Sequence, residues 1–398
     1  VRMWDTLIYN FLTERNIVVP PARRAEKDKK YAGAYVKEPV PGKYDWVVSF
    51  DLNSLYPHLI MQYNISPETL AEERHPNAKV SRFLDKNVII DGRYATCANG
   101  AQYRKDVHGF LPEMMQKIYD ERVQSKKLML IAKQEYEKAP SNELEKAISK
   151  YNNIQMARKI QLNSAYGAIG NQYFRYYNII NAEAITLSGQ VSIRWIENKV
   201  NGYLNKLLNT SKKDYVIASD TDSIYLCLDK LVTTVYGDQE VSQEKVVNFL
   251  DKACKEKIEP FIDKSYNELA EYTNAYEQKM FMKRENIANR GIWTAKKRYI
   301  LNVWDSEGVR YNKPKLKMMG IEAVKSSTPA PCRTAIKDAL NIMMSGEQDD
   351  LLSFIDKFRD EFNSLPPEDI AFPRSVNGLR KFKSDTDVYS KGCPLHVR

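Results

Sequence analysis

Two β-rich runs that carry aspartates constrain this chain more than any other feature. Trp46 to Leu52 (WVVSFDL) is apolar with strong β propensity and reads as a buried strand ending at Asp51. Tyr56-Pro57 follows, and Pro57 suits the first turn of a helix through Leu59 to Tyr63. Far downstream, Tyr215 to Leu228 (YVIASDTDSIYLCL) is β-rich on both sides of Asp220-Thr221-Asp222, which predicts a tight hairpin with acids at its tip. Two or three aspartates on adjacent strand ends can hold a pair of Mg²⁺ ions, which need few carboxylates and keep water and phosphate oxygens as their other ligands. Taken alone, a D-x-D tip is a weak signal and is read more readily as a polar turn than as a metal site.

Between these runs the pattern is helical. Glu113 to Lys138 and Glu143 to Ala168 read as two long helices, broken at Ala139-Pro140-Ser141-Asn142. Asn142 with Glu145 matches a helix-start cap and its reciprocal acid, and so short a break predicts an antiparallel hairpin. Lys159, Asn163 and Tyr166, spaced i, i+4 and i+7, share a face; Arg122 and Lys126 do the same on the opposing helix. Such cations are a solvated surface, or, if turned inward, a clamp for a triphosphate. Ala182 to Leu208 is a third long helix, and two more flank Pro260. Gly291 to Trp304 (GIWTAKKRYILNVW) is strand-like and basic in its middle. Val19 to Lys30, with its Pro-Pro pair, reads as a loop or linker, and Ser375 to Arg398 shows no clear element.

Composition narrows the classes. At 398 residues the chain suits two or three subdomains around one cleft. Lys plus Arg is 60 and Asp plus Glu 51, a net charge of +9 that permits a polyanionic partner and equally suits a solvated basic surface. The five cysteines and four histidines are scattered without a C-x-x-C pair, which argues against a disulfide framework, zinc or haem. No apolar run is long enough for a bilayer and no signal-peptide pattern opens the chain, so a cytoplasmic protein with no membrane partner is expected. No P-loop is present, so neither ATPase nor helicase activity is expected.

The flanks of the aspartates carry a resemblance. Asp51-Leu52-Asn53-Ser54-Leu55-Tyr56-Pro57 resembles the D-x-x-S-L-Y-P motif of family B DNA polymerases. Lys159-x-x-x-Asn163-Ser164-x-Tyr166-Gly167 resembles the second motif of that family, Asp220-Thr221-Asp222-Ser223 the third, and Lys296-Lys297-Arg298-Tyr299 a further basic motif, all in family order. Tyr31-Ala32-Gly33-Ala34 resembles the Y-x-G-G/A motif. GAYVKEP, ISPET and KSSTP look most like the replicative polymerases of T-even-type phages.

The resemblance implies an α+β fold. It would comprise an N-terminal connection and first part of the palm (1–108), helical-hairpin fingers (109–171), the second part of an antiparallel palm (172–330) and a partial thumb (331–398). It implies template-directed addition of deoxynucleotides to a primer 3′ end, with release of pyrophosphate. Asp51 and Asp222 would hold two Mg²⁺ ions (Mn²⁺ may substitute), with Asp220 in a weaker role. Arg122, Lys126, Lys159 and Asn163 would grip the triphosphate, with Leu52 and Ser54 nearby. Tyr56 would exclude a 2′-hydroxyl, and Leu55 and Tyr166 would line the nascent base pair. Tyr31, Gly33, Gly167, Lys296, Lys297, Tyr299, Lys315 and Lys317 would contact primer–template DNA.

There are departures from the family pattern. His58 stands where Ser is usual, and Ala218-Ser219 where Tyr-Gly is usual. In Met282-Lys283-Arg284-Glu285, Lys283 replaces an acid and only Glu285 remains as a candidate accessory metal ligand. No D-x-E exonuclease motif precedes Asp51 and no clamp-binding tail ends the chain. The expectation is therefore a fragment or one subunit of a split polymerase, with a second chain supplying exonuclease and thumb and a sliding clamp as a further partner. If phage-encoded, it would work in the host cytoplasm. The rival readings are a DNA-binding part that is inactive alone, and a reverse transcriptase or primase; Tyr56-Pro57 and the Lys159 motif argue against the latter.

Overall fold

The run expected to be a buried strand is β1 (Gly42–Leu52), and its alternation explains the layering of the protein. In a computed structural model, which describes residues 1–22, 30–237, 239–375 and 377–378, Val48, Phe50 and Leu52 point into a large core. Val47 belongs to a smaller cluster on the other face, and Ser49 and Asp51 share that face by the period of two. One side of the sheet is thus sealed by helices, and the other presents polar groups near the strand's end.

The chain begins with α1 (Arg2–Thr13), which the sequence reading did not anticipate. After β1 come α2 (Leu55–Tyr63), the short α3 (Val80–Leu84) and a small hairpin of β2 (Tyr94–Thr96) and β3 (Gln102–Arg104). The long helices are α4 (Phe110–Lys138), α5 (Asn142–Ile169) and α6 (Ile179–Leu207). β4 (Val216–Asp220) and β5 (Ser223–Cys227) form the acid-tipped hairpin, followed by α7 (Asp229–Tyr236), α8 (Gln243–Ala253) and α9 (Glu259–Tyr272). β6 (Met282–Ala295), β7 (Arg298–Ser306) and β8 (Val309–Met319) precede α10 (Ala330–Ser345), α11 (Gln348–Ser364) and α12 (Pro367–Ile370). The main sheet has the order β4-β5-β1-β6-β7-β8, and its neighbours pair antiparallel. This is the α+β architecture expected.

Three local readings need correction. The cap of α5 is Ser141, whose side chain accepts from the Leu144 amide at 3.2 Å; Asn142 is already the first helical residue. Pro260 does not separate two helices. The chain leaves α8 through a π-helical turn, Cys254–Ile258, and Pro260 lies in the first turn of α9, where its missing N–H costs nothing. The basic strand-like stretch is a hairpin, with Lys296 and Lys297 in the turn between β6 and β7. Of the expected linker, residues 23–29 lie outside the described residues, as does all of the expected C-terminal coil except Ser375, Asn377 and Gly378. No described helix is long and apolar enough to cross a membrane.

The sheet is anchored by a buried charge cluster as well as by apolar packing. The Arg284 side chain is 3% exposed and pairs with the 2%-exposed Asp305. Asp251 takes the other arm of Arg284 at 2.7 Å, and Arg310 reaches Asp305 at 3.0 Å. Burial alone would raise the Asp305 carboxyl, but hydrogen bonds from Arg284 and Arg310 hold it below the ordinary range. Its contribution to stability is therefore present above the unfolded value and lost as pH falls. Asp305→Asn, which leaves Arg284 buried without its main counter-charge, should cost about 3–5 kcal/mol in urea unfolding at pH 7. A loss well under 1 kcal/mol, of the size of a surface pair, would show the cluster to be solvated.

Candidate active site

Backbone pairing brings the two distant acids together. Asp51 stands opposite Ser223 of β5 on one side and Lys283 of β6 on the other. The Leu52 amide donates to the Asp222 carbonyl at 2.8 Å, which fixes the tip of the β4–β5 hairpin against the end of β1. At that tip Thr221 has φ 59°, a left-handed conformation for a β-branched residue. This costs about 1–3 kcal/mol and persists only where the surroundings impose it. Here the Thr221 amide donates to the Tyr35 carbonyl at 3.0 Å.

The electrostatics follow from this placement. Burial is the largest cause pushing Asp51 up to about 7, followed by repulsion from Asp222 and then Glu285, with Lys317 opposing. Asp222 is raised to about 6, again chiefly by burial, with Asp220 and Glu285 adding to it and Lys297 opposing. Among the described residues no group of three or more His, Cys, Asp or Glu side chains could hold a metal ion by itself. A pair of half-buried, mutually repelling carboxylates fits Mg²⁺, which takes one or two protein carboxylates and completes its shell with water and substrate phosphate.

Two neighbouring acids, Asp220 and Glu285, are already paired. Lys297, in the β6–β7 turn with φ 58°, donates to both carboxylate oxygens of Asp220 at 2.7 and 2.8 Å. Glu285 accepts from Lys317 at 2.8 Å and from Ser49 at 3.3 Å. Lys317 therefore faces the acids, while Lys315 lies over the Tyr311 ring. Lys283, in the place of the family's acid, turns to Glu259 at 3.1 Å and Asp263 at 3.7 Å.

A cleft of about 590 Å³ opens beside Asp51, and Lys126, Asn53, Tyr119, Lys283 and Glu285 help to line it. Lys126, Lys159 and Asn163 are exposed on the α4–α5 hairpin. Arg122 donates to Ser54 Oγ at 3.0 Å, which ties α4 to the start of α2. Its buried Nε–H has no acceptor among the described residues.

Tyr56 packs against Tyr166, with ring centroids 4.7 Å apart. Tyr166 Oη donates to Tyr31 Oη at 3.2 Å, so three tyrosines from three segments form one wall. Burial, with Asp222 and Tyr31 adding to it, pushes the Tyr56 phenol up to about 12. Gly189 on α6 lies directly behind this wall; a Cβ there would come within 3.3 Å of Leu59 Cδ1 and 3.5 Å of Tyr56 Cε1. Gly33 and Gly167 are open, with nothing within 4 Å of a Cβ.

Not every expected contact residue faces the cleft. Tyr299, expected on a DNA track, is instead a core side chain, 4% exposed, among Tyr225 and Trp293. Its Oη and that of Tyr225 are 2.7 Å apart. Leu52 and Leu55, expected near the nucleotide, are buried at 1% and 4% exposure. Lys296 pairs with Glu38 at 2.9 Å. The sequence reading missed Gly189, Tyr35 and the α6 residues Thr186 and Gln190. The last two hold the carbonyls of Ala32 and Gly33 at 2.8 and 2.6 Å. Their only sequence signal is an i, i+4 polar pair on one helix.

The acid pair has a consequence measurable without substrate. Both folded-state values lie above the ordinary carboxylate value of about 4, so the unfolded chain gives up its protons first. With chelator present, stability should fall as pH rises from about 4 towards the Asp51 value of about 7. Asp51→Asn should flatten that slope and raise the melting temperature at pH 7.5. A variant that melts at or below the parent there would show that the Asp51 carboxylate is not charged at a cost in the folded chain.

Comparison with known proteins matches residues 2–376 to a profile described as DNA polymerase family B. The DNA-directed DNA polymerase of Escherichia phage RB69 is 37% identical over 451 aligned positions, covering 100% of this chain and 49% of that protein. The DNA-directed DNA polymerase of Enterobacteria phage T4 is 34% identical over 447 positions, covering 100% of this chain and 50% of its own length. A DNA polymerase of Thermococcus gorgonarius is 27% identical over 93% of the chain and 40% of its own. The chain spans about half the length of the phage relatives it matches. Since the match runs through each strand and helix that brings a side chain to the acids, the site and its scaffold have one origin, and this chain belongs to DNA polymerase family B.

Proposed function

We propose that this chain is the polymerising part of a DNA-dependent DNA polymerase, adding deoxynucleotides to a primer 3′ end under the direction of a template. The observation that carries this reading is the pairing of Asp51 and Asp222 on neighbouring strand ends of the open sheet face. Both are charged at a cost, and Asp51 lines a cleft to which Lys126 of the α4–α5 hairpin also contributes. Two carboxylates with cations near them suit a metal-bound nucleoside triphosphate, whose divalent cations meet the acids and whose phosphates meet the cations.

On this reading the six-stranded sheet is the palm, α4 and α5 are the fingers, and α10 to α12 begin a thumb. Asp51 and Asp222 would hold Mg²⁺ or Mn²⁺, which would supply acidity to the primer 3′-hydroxyl and counter-charge to the triphosphate. The 3′-hydroxyl gives its proton to solvent as its oxygen bonds the α-phosphorus, the bond to the α,β-bridging oxygen breaks, and pyrophosphate leaves. Arg122, Lys126 and Lys159 offset the charge that moves onto the leaving group. A phosphate oxygen would give the Arg122 Nε–H the acceptor it lacks. Asp220, neutralised by Lys297, is the weaker acid.

The Tyr56–Tyr166 wall gives the pocket its shape. Tyr56, fixed between Tyr166 and α6, has no room to retreat from a 2′-hydroxyl, so the contact reads the sugar by size. The exposed backbone at Gly33 and Gly167 suits close approach of a nucleic-acid strand. Lys296 and Lys297 position duplex phosphates without reading sequence.

Primer extension is the test. Asp222→Asn should abolish extension while duplex binding persists; extension at the parent rate would remove the acids from the chemistry. Lys159→Ala should slow single-turnover incorporation by roughly 10²-fold or more, the scale for losing one charge-stabilising donor, with little change in duplex affinity. Weakened duplex binding with intact nucleotide kinetics would place Lys159 on DNA instead. Tyr56→Ala should raise ribonucleotide use relative to deoxynucleotide use, and an unchanged ratio would put the sugar gate elsewhere.

A further inference from the structure

The segment 31–38 crosses the site as a strap. Tyr31 touches Tyr166 of α5, and Ala32 and Gly33 are held by α6. The strap then forms an added edge on β4: the Tyr35 carbonyl accepts from the Thr221 amide, Val36 bridges Asp220, and the Lys37 amide donates to the Ser219 carbonyl at 2.9 Å. β4 is the last strand of the sheet, so nothing else in the sheet supports that side of the acid-bearing turn.

The strap is pinned at one point. The Lys37 side chain is 15% exposed, and its ammonium meets Glu197 Oε1 at 2.7 Å, Asp214 Oδ2 at 2.6 Å and the Val216 carbonyl at 2.6 Å. Three N–H donors find three acceptors, on α6, on the loop before β4 and on β4 itself. A lysine so enclosed cannot reach substrate. It is also a costly way to fill space, because taking an ammonium and a carboxylate out of water costs more than apolar packing. What the arrangement provides is a directional lock, since an ammonium bonded on three sides fixes the register of the strap against β4.

Building on the polymerase reading above, we propose that Lys37 is a positioning residue for catalysis. By locking the strap it holds the Tyr35 carbonyl on the Thr221 amide, and so keeps the left-handed turn that sets Asp222. The lock sits at the far end of the strap from the tyrosine wall, so the same element aligns the acid turn with the base of α5.

The test uses Lys37→Met, together with Lys37→Met/Glu197→Gln. The second variant leaves no buried carboxylate without its counter-charge and guards against simple misfolding. Amide hydrogen exchange should show Thr221 losing protection by about tenfold or more, while the amides of Val47 and Val48 in the sheet centre keep theirs. Single-turnover nucleotide incorporation should slow on the order of tenfold, with primer–template affinity unchanged. The deficit should shrink in a Thr221→Gly background, where the left-handed turn needs no support. Unchanged protection at Thr221, equal loss at Val47 and Val48, or full-rate incorporation despite an exposed Thr221 amide would each overturn the proposal. If the parent chain incorporates no nucleotide, the polymerase reading fails by itself, and the exchange measurement still decides whether Lys37 holds the turn.

Discussion

The amide of Leu52 donating to the carbonyl of Asp222 closes the β1–β5 ladder at the end that carries the acids. It works because β1 is a central strand, paired on both sides, with its helix-facing side chains buried. A slip of one residue would send Asp51 into the apolar layer and Phe50 onto the open face. That alternative is prohibitive in both directions, since an ion would be buried and a large ring exposed. The hydrophobic pattern therefore fixes the register, and the register fixes where the acids stand.

The same sheet manages the charge it creates. Two acids near Asp51 and Asp222 have a lysine drawn from another strand or turn: Lys297 for Asp220 and Lys317 for Glu285. Asp51 and Asp222 themselves are raised chiefly by burial, with neighbouring acids adding to it. The cost of charging is thus concentrated on the pair able to relieve it by binding cations, and the fold gives up some stability there to retain it. The buried Arg284–Asp305 pair lies on the neighbouring strands β6 and β7, where ion pairing serves anchoring rather than chemistry.

What the sequence made legible were the features with a period or a motif. β1, the acid hairpin and the two long helices were read from alternation and helical spacing, and the motifs at Asp51, Lys159 and Asp220 named the family. What escaped it depends on tertiary contact. Tyr299 sits in a basic motif, yet strand alternation turns its ring into the Tyr225–Trp293 cluster while Lys297 stays in the turn. Lys317 looked like part of a cationic track, and its pairing across β7 with a strand 32 residues away in sequence could not be seen. The strap carries no periodicity; its motif marks Tyr31 and Gly33, but the contacts of its carbonyls and amides with β4 and of the Lys37 ammonium are tertiary. α1 was missed although Trp4 reaches Ser164 of the second motif at 3.0 Å.

Gly189 shows how much of a pocket can be set by an atom that is absent. Helix α6 passes so near α2 that a methyl group would press on Leu59, at 3.3 Å, and touch Tyr56, at 3.5 Å. The ring that forms the pocket wall is therefore backed by bare main chain rather than by a deformable side chain. Backbone yields less than a rotamer does, so the hardness of this wall is a property of the scaffold. Tolerance for bulkier sugars can then be altered from behind, by changing the spacing of two helices, without touching any group that meets the nucleotide.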